Sequence, residues 1–139
     1  MTDLQLAMSR LIGDITVCLA KSDNIVASNR RGIAPLIELC ASKNSYVGYS
    51  AADKIVGKAA ALLYVYIGVK AVYAEVLSAA AEKVFCDHGI VYVYGKKVDY
   101  IINRNGDGRC PMEQAVAEIS SPHDALIAVK QKLKSLAGK

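Results

Sequence analysis

From Tyr46 onward the chain alternates between apolar, β-branched runs and runs with helical spacing, and this alternation limits the fold more than any other feature. It predicts a strand over Tyr46–Ala52, a helix over Lys54–Ile67 closed by Gly68, a strand over Lys70–Val76, a helix over Ala79–His88 closed by Gly89, and a strand over Ile90–Tyr94. Such an order implies parallel strands joined by right-handed crossovers, with helices packed on the sheet. Within it, Tyr46 to Leu63 is the organising stretch: a buried strand that turns sharply at Asp53 into a helix lined by small residues. Open α/β sheets bind ligands beyond the carboxyl ends of their strands, so the polar residues gathered at this turn point to a binding site. Gly57 lies one turn into the expected helix, where glycine costs ~1 kcal/mol relative to alanine. Its presence implies either close backbone approach to a strand or ligand, or tight helix-to-sheet packing beside Ala59, Ala60 and Ala61.

The flanking segments complete the plan. A short helix is expected from Asp3 to Leu11, ending at Gly13. Ile15 to Ala20 and Asn24 to Ser28 read as an antiparallel hairpin. The polar Asn29-Arg-Arg-Gly turn leads to a second helix marked by Ile33, Leu36, Ile37 and Cys40, with Pro35 in its first turn. After Gly95, Val98 to Ile102 resembles a further strand, and Asn103 to Arg109 forms a polar loop whose Asn-Gly and Asp-Gly pairs demand turns. Cys110-Pro opens a helix to about Ile119, and Ser121 caps the last helix, with Asp124 as a weaker capping-box partner.

Composition excludes several classes of function. At 139 residues, 53% hydrophobic and 22% charged, the chain fits one compact domain spanning 1–139. The start has no basic region followed by a long apolar stretch, and no window approaches the ~18 apolar residues of a membrane span. A cytoplasmic protein is expected, with no membrane association. Cys18, Cys40, Cys86 and Cys110 form no C-x-x-C pair and are expected as free thiols. The net charge of +4 is modest, and Lys130, Lys132 and Lys134 suit the solvated C-terminal turns of a last helix. No aromatic-plus-basic stripe accompanies them, which argues against nucleic-acid binding.

Three segments carry a resemblance: Ala52-Asp-Lys-Ile-Val-Gly-Lys-Ala-Ala-Ala-Leu-Leu, Tyr100-Ile-Ile-Asn-Arg, and Cys110-Pro-Met-Glu-Gln-Ala-Val. Together with the order of elements they resemble a bacterial family of the cytidine-deaminase-like superfamily known only as a domain of unknown function, number eighteen ninety-three. The resemblance implies a three-layer α/β fold, a mixed sheet with an N-terminal hairpin and parallel strands flanked by helices, plus C-terminal helices. True deaminases of that superfamily carry His (or Cys)-x-Glu at one helix start and Pro-Cys-x-x-Cys at the next, to bind zinc and move protons. Here the helix starts read Arg30-Arg-Gly-Ile-Ala and Ala52-Asp-Lys-Ile-Val-Gly, without those ligands. Asp53 alone does not make a three-ligand zinc site, so zinc-dependent deamination and metal or other cofactors are not expected.

What remains is a pair of helix starts bearing Arg30, Arg31, Gly32, Asp53, Lys54 and Lys58. Backbone N–H groups with arginine and lysine side chains suit a phosphate or carboxylate, so a nucleotide-like or other anionic small molecule is the expected ligand. Each residue also has a plainer role: Asp53 as an ordinary N-cap, Arg30 and Arg31 as a solvated loop, Lys54 and Lys58 as surface lysines. Asn103 and Arg104 would bring further polar contacts from the loop. The competing reading is a metal-independent enzyme using Cys110 with Glu113 and Arg104. Dipole support for a thiolate at Cys110, ~0.3–1 kcal/mol, is too little alone, and no histidine is placed as its base. A structural cysteine and a helix-start glutamate are the alternatives for Cys110 and Glu113. A third reading is a structural subunit: Tyr64, Tyr66, Tyr73, Tyr92 and Tyr94 either line a homo-oligomer interface or pack against the sheet.

Overall fold

The computed structural model describes residues 1–102, 106 and 108–137. The elements run α1 (Asp3–Ser9), β1 (Val17–Lys21), β2 (Asn24–Ser28), α2 (Ala34–Ala41), β3 (Ser50–Val56), α3 (Lys58–Ile67), β4 (Ala71–Ser78), α4 (Ala79–His88), β5 (Val91–Val98), α5 (Pro111–Ala115) and α6 (Pro122–Ala137). Five strands form one mixed sheet in the order β2-β1-β3-β4-β5. The hairpin β1–β2 and the β1–β3 pair are antiparallel, while β3, β4 and β5 run parallel, as the alternation of strand and helix requires. The architecture is therefore α/β, with a five-stranded mixed sheet and six helices among the described residues.

Helix α3 is the centre of the packing. Ala59 to Tyr64 and Ile67 are buried around its whole circumference, the pattern of a helix enclosed on all sides. Its small residues lie against the sheet and neighbouring helices, and Leu62, Leu63 and Tyr64 are almost fully enclosed. Helices α2, α4 and α6 add Leu36, Phe85 and Val129 to the same core, Val116 joins it from the C-cap of α5, and the Tyr66 ring stacks on His123 of α6 at 6.3 Å. On the opposite face, among the described residues, lies only α1, whose Ala7 packs on Ala20 and Ala52. Truncating an enclosed leucine such as Leu63 would cost ~2–5 kcal/mol.

Several boundaries differ from the sequence expectation. The strand expected over Tyr46–Ala52 begins only at Ser50, because Tyr46 to Tyr49 form a turn in which Gly48 adopts φ +82° and Tyr49 N–H donates to the Tyr46 carbonyl. It then continues through Asp53 to Val56, so the turn into α3 falls at Gly57. The expected strand over Val98–Ile102 is absent: β5 instead continues past Gly95 to Val98, and Ile102 makes a single bridge to Arg109. The helix expected from Cys110 to about Ile119 is shorter, ending at Ala115. Gly68 and Gly89 close their helices in left-handed conformations, at φ +86° and +70°, as expected from their positions. All four cysteines are free, and Ser121 Oγ accepts from the Asp124 N–H.

One row of the sheet is irregular. The ladder skips Lys54, Glu75 and Gly95, which stand side by side in the three parallel strands. Before this row Ala51, Val72 and Tyr92 face the α3 core; after it Val56, Leu77 and Lys97 do, the last reaching Glu82 of α4. The alternation of side chains thus shifts by one residue in all three strands at once, as at a β-bulge. A side chain at Gly95 would stand 2.9 Å from the Glu75 carbonyl.

Candidate functional site

Because Val56 pairs with Leu77 in adjacent parallel strands, α3 and α4 start side by side at one end of the sheet. The two starts are finished differently. In α4 the cap is local: Ser78 Oγ accepts from the Ala81 N–H at 3.1 Å. In α3 the N-cap is Gly57, which has no side chain to offer. Its place is taken by Glu113 of α5, whose Oε1 accepts from the Lys58 N–H at 2.7 Å and whose Oε2 accepts from the Ala59 N–H at 2.9 Å. A carboxylate at a helix N-terminus gains from both the free N–H groups and the dipole.

This contact accounts for Gly57. Its φ of −98° is open to any residue, so the requirement is for space: a Cβ there would run into the Glu113 carboxylate. The close approach is therefore to the Glu113 side chain, not to the strand, ligand or sheet expected from the sequence. Lys58 adds a second fastening, its Nζ donating to the Ala117 carbonyl at 3.0 Å. Cys110 starts α5, with its N–H donating to the Ile101 carbonyl at 3.0 Å and its carbonyl accepting from the Glu113 N–H at 3.0 Å. The half-buried Cys110 thiol makes no capping hydrogen bond. Beside Cys110 in sequence, Arg109 holds its guanidinium 4.8 Å from the Tyr100 ring centre, on a cleft of about 320 Å³ that Ile102 also lines.

The other candidate residues are dispersed. Asp53, expected as an N-cap, sits inside β3 with 7% exposure. Its Oδ2 accepts from the Tyr64 hydroxyl of α3 at 2.7 Å and its Oδ1 from the Ile55 N–H at 3.2 Å. Burial pushes its carboxyl from 3.8 up to about 7, against the opposing pull of these hydrogen bonds and of the Lys54 backbone. Burial, and then the facing Asp53, raise the Tyr64 phenol well above its ordinary value. Lys54 sends its Nζ to the Gly13 carbonyl at 2.9 Å. Arg30 pairs with Glu38 of α2 on the surface. Arg31 is exposed, and Gly32 takes a left-handed φ of +68° just before α2. Asn103 and Arg104 lie outside the described residues.

Among the eight candidate residues that are described, Lys58 and Glu113 are the pair from different elements that meet directly. Sequence reasoning missed Tyr64 as the partner of Asp53, and Gly57 as the true helix start. The second was signalled by Ile55-Val56, a β-branched pair that prolongs the strand past the polar Asp53-Lys54. Among the described residues, no three His, Cys, Asp or Glu side chains are grouped to hold a metal ion, and no helix is long and apolar enough to cross a membrane.

Comparison with known proteins bears on the whole chain. A crystal structure of a DUF1893 family protein (TM1506) from Thermotoga maritima is similar, with a TM-score of 0.81 and 26% identity over 93% of this chain and 86% of that one. No curated protein matches. The model of a family described as a domain of unknown function, DUF1893 (TM1506), matches residues 10–133, and the chain, with its Gly57–Glu113 clasp inside the matched span, belongs to that family.

Proposed function

We propose that the protein is a binding module for a small anionic, nucleotide-like molecule, on a cytidine-deaminase-like scaffold whose helix starts carry no zinc ligands. The ligand's phosphate or carboxylate would take the place of Glu113 at the start of α3. One observation carries the reading: this helix end already holds a carboxylate, through the Lys58 and Ala59 N–H groups, and Gly57 leaves the room that it needs. Lys58 supplies a cation at the same point, released from the Ala117 carbonyl when α5 moves aside. The order of the sheet, an antiparallel hairpin followed by parallel strands, supports the scaffold assignment. The segments that lead into α2 and α3, Arg30-Arg-Gly-Ile-Ala and Ala52-Asp-Lys-Ile-Val-Gly, supply none of the His, Cys and Glu that the deaminase motifs of the resemblance would require there.

Nothing favours the enzyme reading over this one. Both oxygens of Glu113 are engaged at the start of α3, which turns its carboxylate to a structural use there. Calorimetric titration of inorganic phosphate and of a nucleoside monophosphate into wild type and Glu113→Ala tests the proposal. Removing the internal competitor should tighten binding by about tenfold or more, a change of ~1.4 kcal/mol. If folded Glu113→Ala binds neither, the proposal is wrong.

A further inference from the structure

The two edges of the sheet are unlike. Strand β2 is five residues long and bears Ile25 as its one exposed large apolar residue. Strand β5 is eight residues long and carries large apolar side chains on both faces: Val91 and Val93 are 62% and 45% exposed on the face that α1 leaves bare, and Tyr94 is 40% exposed on the α4 side. Alternation along the strand puts them there, since Tyr92 stacks on Phe85 of α4 at 6.0 Å. Ile-Val-Tyr-Val-Tyr is the composition of a strand with neighbours on both sides. Among the described residues, β5 pairs only with β4.

The free groups have a definite direction. The Val91 N–H donates to the Lys70 carbonyl on the β4 side, so in a regular strand Val91 and Val93 address β4 while Tyr92 and Tyr94 point their N–H and C=O outward. The shift at Gly95 ends this regularity, and Lys96 and Lys97 follow it. Bulges and edge lysines are devices that block strand addition, and here they protect only the second half of β5.

We propose that the first half of β5 pairs antiparallel with the same segment of a second copy, about a two-fold axis at Val93. Tyr92 of each copy then exchanges both backbone hydrogen bonds with Tyr94 of the other, and the two sheets become one. The charges select this occupant and orientation. Antiparallel pairing about Val93 sets each copy's Lys96 and Lys97 opposite the other's Ile90 and Gly89, beside the carbonyl end of its α4, where the dipole favours cations, whereas parallel pairing would stack lysine on lysine. Val93 meets its own counterpart across the axis, and each Val91 lies over Gly95 of the other copy.

Sedimentation velocity of the full chain tests this, at concentrations up to about 100 μM, which would fill an interface of micromolar Kd. A dimer is expected. Val93→Lys, which sets two ammonium groups at the axis on an already exposed position, should weaken it by about tenfold or more. Ile25→Lys on the other edge should leave it unchanged, with circular dichroism confirming that both variants fold. A wild-type monomer throughout this range overturns the proposal, as does a dimer that Val93→Lys leaves intact or that Ile25→Lys dissociates.

Discussion

Two carboxyl groups meet helix α3, one beneath its body and one at its start, and they are held in opposite ways. Asp53 is pressed into the core, where a phenol and one backbone N–H are its partners. Glu113 reaches the helix from 55 positions beyond Lys58 and lies along the dipole, accepting from two free N–H groups. The same chemical group is therefore a burden when charged in one place and a fastening in the other. The surroundings decide which, through desolvation under the helix and unsatisfied donors at its end.

The largest effect expected from breaking this contrast is at Asp53. A carboxyl raised from 3.8 to about 7 binds its proton more tightly in the folded chain than in the unfolded one. Its contribution to stability is thus full below pH ~4 and is lost as pH rises through ~7, by up to about 4 kcal/mol. Asp53→Asn imitates the protonated form. Urea denaturation between pH 5 and 8 should show the variant gaining on wild type as pH rises; parallel curves would place the proton elsewhere.

Glu113→Ala comes next, with a loss of about 2–3 kcal/mol from two hydrogen bonds to a charged acceptor. Gly57→Ala should cost about 1–2 kcal/mol by displacing that carboxylate. If the clasp is their shared origin, the double variant will be less destabilised than the sum of the two single changes, because the second substitution acts on a contact already lost. Strict additivity in the denaturation midpoints would separate them. Ser78→Ala, the local cap of the neighbouring helix, should cost the least, about 1 kcal/mol, and should add fully to either change.

Local chemistry was legible and long-range chemistry was not. The hairpin, α4 with its two ends, and the glycine that closes α3 follow from short-range signals in the sequence. Gly57 signals a close approach, but the sequence points to a strand, a ligand or the sheet, and nothing near it names Glu113, whose contact exists only in the folded chain. Asp53 was misplaced because a polar pair inside an apolar run usually marks a turn. Here Tyr64, one strand-to-helix connection later, satisfies the carboxyl inside the core and lets the strand continue. Tyr46 to Tyr49 failed for the converse reason: apolar composition suggested a strand where Gly48 makes the chain turn.

The row formed by Lys54, Glu75 and Gly95 bears on which changes of length the chain can accept. Since all three parallel strands change phase at that row, removing one residue from a single strand would restore ordinary alternation there while its neighbours stayed shifted. Every residue beyond the deletion would keep its face but fall one place out of register with the neighbouring strands, drawing Leu77 or Val56 away from its position in the core that encloses α3. Insertions and deletions are consequently confined to the connections, and the three strands keep their lengths as a set.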